Sequence, residues 1–159
     1  MDLSELEINQ NDPESLISFA KSLEKQGERK KAESYYEKAA NIDKSKTTAL
    51  FHLVNLFINE GRLSSITATY KKILINEPNN IEVLDRLAYF YHLSGKELQR
   101  EECLKEIIRI DPKNIDAIEK IGSLAYKCGD EEKAYEYFRL ILEIDPNNKN
   151  ALSYLPSKM

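Results

Sequence analysis

The chain is 159 residues long, with a formal net charge of −4, a pI near 5.4, 42% hydrophobic and 31% charged residues. Such a composition can bury a core, which excludes a disordered chain, and its acidic balance argues against nucleic acid as the main ligand, leaving open only a local basic groove. No apolar run is long enough for a secretory signal or a bilayer span, so no membrane insertion is expected. The two cysteines, Cys103 and Cys128, point to reduced thiols in a cytoplasmic protein, although a mature exported domain would read the same way.

In chain order, residues 1–12 form an acidic lead-in that either belongs to a preceding helix or frays. A strict spacing then sets in. Gly27, Gly61, Gly95 and Gly129 stand 34 residues apart, and Pro78, Pro112 and Pro146 follow the same step. A fixed period of this length, with a helical pattern inside each unit, is the signature of stacked helix-turn-helix repeats. Setting each proline two residues from the end of its unit divides the chain into 13–46, 47–80, 81–114 and 115–148.

Within each unit the first helix carries three apolar columns: Leu16, Leu50, Leu84 and Ile118; Phe19, Leu53, Leu87 and Ile121; Leu23, Phe57, Tyr91 and Ala125. Steps of three and four residues keep them on one helix face. A small-residue column, Ala20, Val54, Ala88 and Gly122, lets helices approach closely. Each repeated glycine should end that helix by taking positive φ. The second helix buries Tyr36, Tyr70, Leu104 and Phe138, then Ala39, Ile73, Ile107 and Ile141.

The prolines stop the second helix in turns such as Asp111-Pro112-Lys113-Asn114, whose closing asparagine is placed to cap the next helix. The first unit has Lys44 at the proline position, which predicts a looser turn. Residues 149–159 restart the pattern with Leu152 and Leu155 before Pro156, as a capping helix or a truncated fifth repeat.

Leu16, Phe19, Ala20, Gly27, Ala32, Tyr36 and Ala39 in the first unit, and Ile118, Ile121, Gly122, Gly129, Ala134, Phe138 and Pro146 in the fourth, match the pattern of the tetratricopeptide repeat family, which the chain resembles over 13–148. The resemblance implies an all-α, right-handed superhelical solenoid of four repeats plus a C-terminal capping helix. It also implies a non-catalytic module or scaffold that binds a protein or peptide partner in a concave groove lined by first helices. Ile66 and Arg100 depart from the family's small residue at the start of the second helix, and Ile73, Ile107 and Ile141 from its alanine, so packing there is expected to be less regular. Arg100, on a buried column, must snorkel to water or find a carboxylate, with Glu97 and Glu101 as candidates.

Groove positions fall between the buried columns. Those singled out as peptide-binding are Lys21, Phe51, His52, Asn55, Ile58, Arg86, Tyr89, His92 and Tyr126: aromatic and aliphatic anchors with polar groups beside them. Phe51 and Tyr89 could equally pack between first helices. The family's carboxylate clamp would fall on Ile17, Lys21, His52, Glu82 and Arg86, of which only Arg86 fits, so a C-terminal chaperone tail is disfavoured. The alternative function is self-association into a homodimer through the groove or through Leu152, Tyr154 and Leu155.

Other chemistry finds no support. His52 and His92 have no ligand at metal spacing, so no metal is expected; the glycines are turn and packing residues, so no nucleotide or other cofactor is expected; no nucleophile is paired with a base, so no enzyme is expected. Both cysteines read as small, partly buried fillers. Arg29-Lys30-Lys31 reads as a solvated face, and Asp130-Glu131-Glu132 as acids favoured at a helix N-terminus.

Overall fold

The computed structural model describes residues 8–43 and 47–155. These form only α-helices and turns: α1 Pro13–Lys25, α2 Arg29–Ile42, α3 Thr48–Asn59, α4 Leu63–Asn76, α5 Ile81–Leu93, α6 Glu97–Ile110, α7 Ile115–Lys127, α8 Glu131–Ile144 and α9 Lys149–Tyr154. The chain divides into two compact units, one ending at Pro78 and the other beginning at Asn79. In the first, α1 packs on α2, α2 on α3 and α3 on α4; in the second, α5 to α9 pack in the same serial way.

The predicted turn chemistry is present at the four glycine turns and at the three asparagine caps. Gly27, Gly61, Gly95 and Gly129 all take positive φ, between 68° and 82°. At each, the residue after the glycine donates its N–H back across the turn, as from Lys96 to the Tyr91 carbonyl at 2.9 Å, while the glycine N–H closes a shorter loop, as from Gly95 to His92 at 3.0 Å. These paired bonds satisfy carbonyls that a helix end leaves open. At the N-terminal ends, Asn80, Asn114 and Asn148 accept from the backbone N–H three residues on at 3.0–3.1 Å, and Asp12 does the same for Ser15 at 2.9 Å. Helix α3 differs. Thr47 provides no side-chain cap, and its hydroxyl instead donates to the Glu77 carboxylate. The turn at 44–46, expected to be looser, lies outside the described residues, as do most of the lead-in and Pro156.

The columns fill the core. Leu16, Leu50, Leu84 and Ile118 are buried, as are the small-residue column and both second-helix columns. Gly122 shows why a small residue is needed: a Cβ there would stand 3.1 Å from the Tyr137 Cβ and 3.3 Å from the Phe138 ring. Two expectations need correction. Phe19 is only half-buried, edge-on to Tyr35 with centroids 4.8 Å apart, because no preceding repeat covers it among the described residues. At the departures from the family pattern, Ile66, Ile73 and Ile141 are 0% exposed and Ile107 1%. The cysteines are not alike, since Cys103 is buried while Cys128, at the very end of α7, is exposed.

Candidate peptide-binding groove

In the first unit, α1 and α3 carry the singled-out residues. Tyr36, fully buried on α2, donates its hydroxyl to Glu24 Oε2 at 2.5 Å, and the His52 ring of α3 stacks on it at 5.2 Å with planes 15° apart. Burial and the Glu24 hydrogen bond push the Tyr36 hydroxyl pKa well above its ordinary value. Burial, and then the charge of Lys21, lower His52 below the usual 6.5, with Glu24 pulling the other way. His52 is therefore a half-buried ring stacked on a tyrosine that itself bonds across to α1, with the charge of exposed Lys21 acting on it. Around it, α3 presents Phe51 (37% exposed), Ile58 (42%) and exposed Asn55. No charged residue occurs anywhere on α3. Ile17, counted among groove positions, is buried and belongs to the core.

In the second unit, a cleft of about 190 Å³ brings together Arg86, Tyr89 and His92 of α5 with Asp85, Arg100 and Lys120. Tyr89 is 54% exposed. Lys120 Nζ of α7 reaches Asp85 at 2.5 Å and Asp116 at 2.6 Å. Burial opposes its charge, but the two carboxylates raise its pKa. Arg100 donates to Glu97 Oε2 at 3.1 Å with its side chain 15% exposed, so it reaches toward the cleft and a carboxylate at once. Glu101, the other candidate partner, instead takes Lys105 at 2.8 Å and Lys133 at 3.1 Å.

His92 Nδ1 lies 2.7 Å from Glu97 and 3.2 Å from Arg100 Nη1. A guanidinium can only donate, so the Nδ1–H that serves Glu97 cannot also accept from Arg100, and the Arg100 approach is a contact of two donors held by one acid. Burial works against ionisation of Glu97, yet His92 and Arg100 hold its carboxyl below the ordinary carboxylate value.

Tyr126 does not join this cleft. It is 43% exposed and meets Tyr154 of α9 edge-on at 5.3 Å, and Tyr154 in turn stacks on Phe138 at 4.1 Å. Sequence reasoning missed Glu24 as a groove residue, although the repeat step sets it in the column of Ile58, His92 and Tyr126. It also left Arg100 out of the groove, because its column pointed to the core. Among the described residues, no three His, Cys, Asp or Glu side chains gather closely enough to hold a metal ion.

A family model described as Tetratricopeptide repeat matches residues 13–46, 81–114 and 115–148. The chain belongs to the tetratricopeptide repeat family. No curated protein sequence matches it. Among solved structures of this repeat fold, that of MamA is 20% identical, with 87% of this chain and 81% of that chain covered and a TM-score of 0.65. That of YrrB, described as a TPR protein with an unusual peptide-binding site, is 20% identical over 92% and 84% of the two chains, with a TM-score of 0.62. The first TPR of Spaghetti, solved bound to an HSP90 peptide, is 21% identical over 70% and 88%, with a TM-score of 0.55. At these identities the likeness speaks for the fold of this tetratricopeptide repeat chain, which is a typically non-catalytic interaction fold. No helix among its described residues is long and apolar enough to cross a membrane.

Proposed function

We propose that the chain is a cytoplasmic, non-catalytic scaffold of four repeats (13–46, 47–80, 81–114 and 115–148) and a capping segment from 149, and that it binds peptide segments on the faces of its first helices. Support comes from the exposed apolar side chains Phe51, Ile58 and Tyr89, which stand where the repeat needs no packing. Aromatic anchors beside a few polar groups concentrate binding energy. On the first unit Phe51 and Ile58 are the anchors, and Lys21, His52 and Asn55 supply charge and hydrogen bonds. On the second, Tyr89 is the anchor, with Arg86 and His92 at its side and Tyr126 nearer the cap.

The bound peptide differs from the one in the Spaghetti structure. Of the clamp positions, Ile17 is buried and Glu82 is acidic, so a terminal carboxylate would find an aliphatic core residue at one place and a like charge at another. The test is affinity capture from native lysate with the wild-type chain beside Phe51→Ala/Ile58→Ala and Tyr89→Ala variants shown to be folded by circular dichroism. Partners lost by one variant alone map to that unit's face. Partners kept by all variants would remove the reading.

A second reading, self-association, is favoured by one observation. Leu152 is 51% exposed, although it stands in the column of Leu16, Leu50, Leu84 and Ile118, none of which exceeds 7%. Light scattering over a range of concentrations decides it, since a monomer throughout would exclude a dimer formed through the cap.

A further inference from the structure

One cleft lies away from the groove residues, on the side of the first unit built by its second helices. It measures about 430 Å³ and is lined by Glu37, Ala40 and Asn41 of α2, Leu50 and Leu53 of α3, and Lys72, Ile75 and Asn76 of α4. Its origin is a deficit of aliphatic bulk at two repeat positions. The position of Ala40 is occupied by Leu74, Ile108 and Leu142 in the other repeats, and that of Asn76 by Ile42, Ile110 and Ile144. In the second unit, Ile108 and Leu142 pack against the core cluster that contains Ile118, which is 0% exposed. Leu50, the equivalent of Ile118, forms the floor of the cleft and is 7% exposed. The chain thus shows in its second unit what fills this place: a branched aliphatic side chain.

The rim adds two further constraints. Ile75 is 79% exposed at the edge, which extends the apolar floor outward. Glu37 and Lys72 stand on different helices lining the cleft, and neither has an ion-pair partner among the described residues. Asn41 and Asn76 offer amides that can read a peptide backbone. Interaction pockets of this size combine an apolar floor with a few polar groups that fix orientation.

We propose that this cleft is a docking pocket for a leucine or isoleucine side chain on a partner polypeptide, which carries a basic residue against Glu37 and an acidic one against Lys72. The site is separate from the groove faces of the first helices, because Leu50 and Leu53 lie on a different face of α3 from Phe51, Asn55 and Ile58. A partner can therefore hold both at once.

The decisive variant is Ala40→Leu, which restores the bulk that α4, α6 and α8 already carry at this position and should leave the fold intact. The probe is a phage-displayed library of random peptides, selected on the wild type and counter-selected on Ala40→Leu. Peptides are expected to share a leucine or isoleucine flanked by opposite charges, and as synthetic peptides to bind Ala40→Leu roughly tenfold or more weakly while keeping their affinity for Phe51→Ala. Ile75→Lys, at an exposed rim position that cannot disturb the core, should weaken the same peptides and serves if Ala40→Leu fails to fold. The proposal is overturned if no peptide discriminates against Ala40→Leu, or if selected peptides bind both cleft variants as tightly as the wild type. Peptides that lose Phe51→Ala but keep Ala40→Leu would assign binding to the groove alone, which sinks this pocket and leaves the groove reading standing.

Discussion

The two compact units have the same spacing and the same kind of core columns but present different surfaces. In the first, α3 carries no charge, its outer face shows Phe51, Ile58 and Asn55, and the opposite side opens into the cleft beside Ala40. In the second, α5 and α7 are tied by ions, Lys120 to Asp85 and Asp116, with Glu97 holding Arg100 and His92, and the place of the cleft is filled by Ile108 and Leu142. Identical columns fix how helices stack, whereas the positions between columns are free of that constraint. Binding chemistry can therefore diverge between repeats while the scaffold stays the same.

The largest effects should come from the shared core. Tyr36 and Phe138 occupy the same repeat position, both at 0% exposure, so Tyr36→Ala and Phe138→Ala should each cost about 3–5 kcal/mol, read by urea unfolding. Equal costs would mean equally tight units. A clearly smaller loss for Tyr36→Ala would mark the first unit as the looser one, in keeping with its open cleft.

Gly61 and Gly95 offer the next comparison, one in each unit, both at φ 68° with open space where a Cβ would go. Alanine at either should cost about 1–2 kcal/mol through backbone strain alone, and equal losses in thermal melts would confirm that the turns, unlike the surfaces, are alike. Capping is smaller and one-sided. Asn114→Ala should cost about 1 kcal/mol, since it removes the bond to the Ala117 N–H. Thr47→Ala removes no cap, and any loss it shows must come from the Glu77 contact.

The smallest effect is a pH dependence. His52 titrates below the usual 6.5 in the folded chain, first because of burial, then because of Lys21. The unfolded chain consequently binds more protons around and below that value, and stability attributable to His52 falls as pH drops through it. Unfolding followed between about pH 7.5 and about pH 5.5 should show a smaller loss for His52→Gln than for the wild type, a range set by the ordinary histidine value. A parallel decline in both would remove His52 as a source.

Helix existence, turn positions and most of the core were legible because each rests on local rules. A glycine that must take positive φ, an asparagine three residues before an orphan N–H, and apolar steps of three and four all act within one or two turns of chain. Phe19 escaped that logic because its burial depends on whether a preceding repeat covers it. At the candidate groove, Phe51, Ile58 and Tyr89 are exposed, while Ile17, at the same repeat position as Phe51, fell into the core and Tyr126 leaned on the cap, because neighbouring helices and not the repeat step decide which of these side chains is covered.

What the sequence determined alone was the repeating helix-turn-helix scaffold, its family and the faces its helices bury, since all of these follow from periodicity and short-range backbone chemistry. Tertiary structure decided the rest. The stacking of His52 on Tyr36, the reach of Lys120 to Asp85, and the opening beside Ala40 each depend on side chains from different helices. The volume and partners those helices leave one another are set only when they pack together.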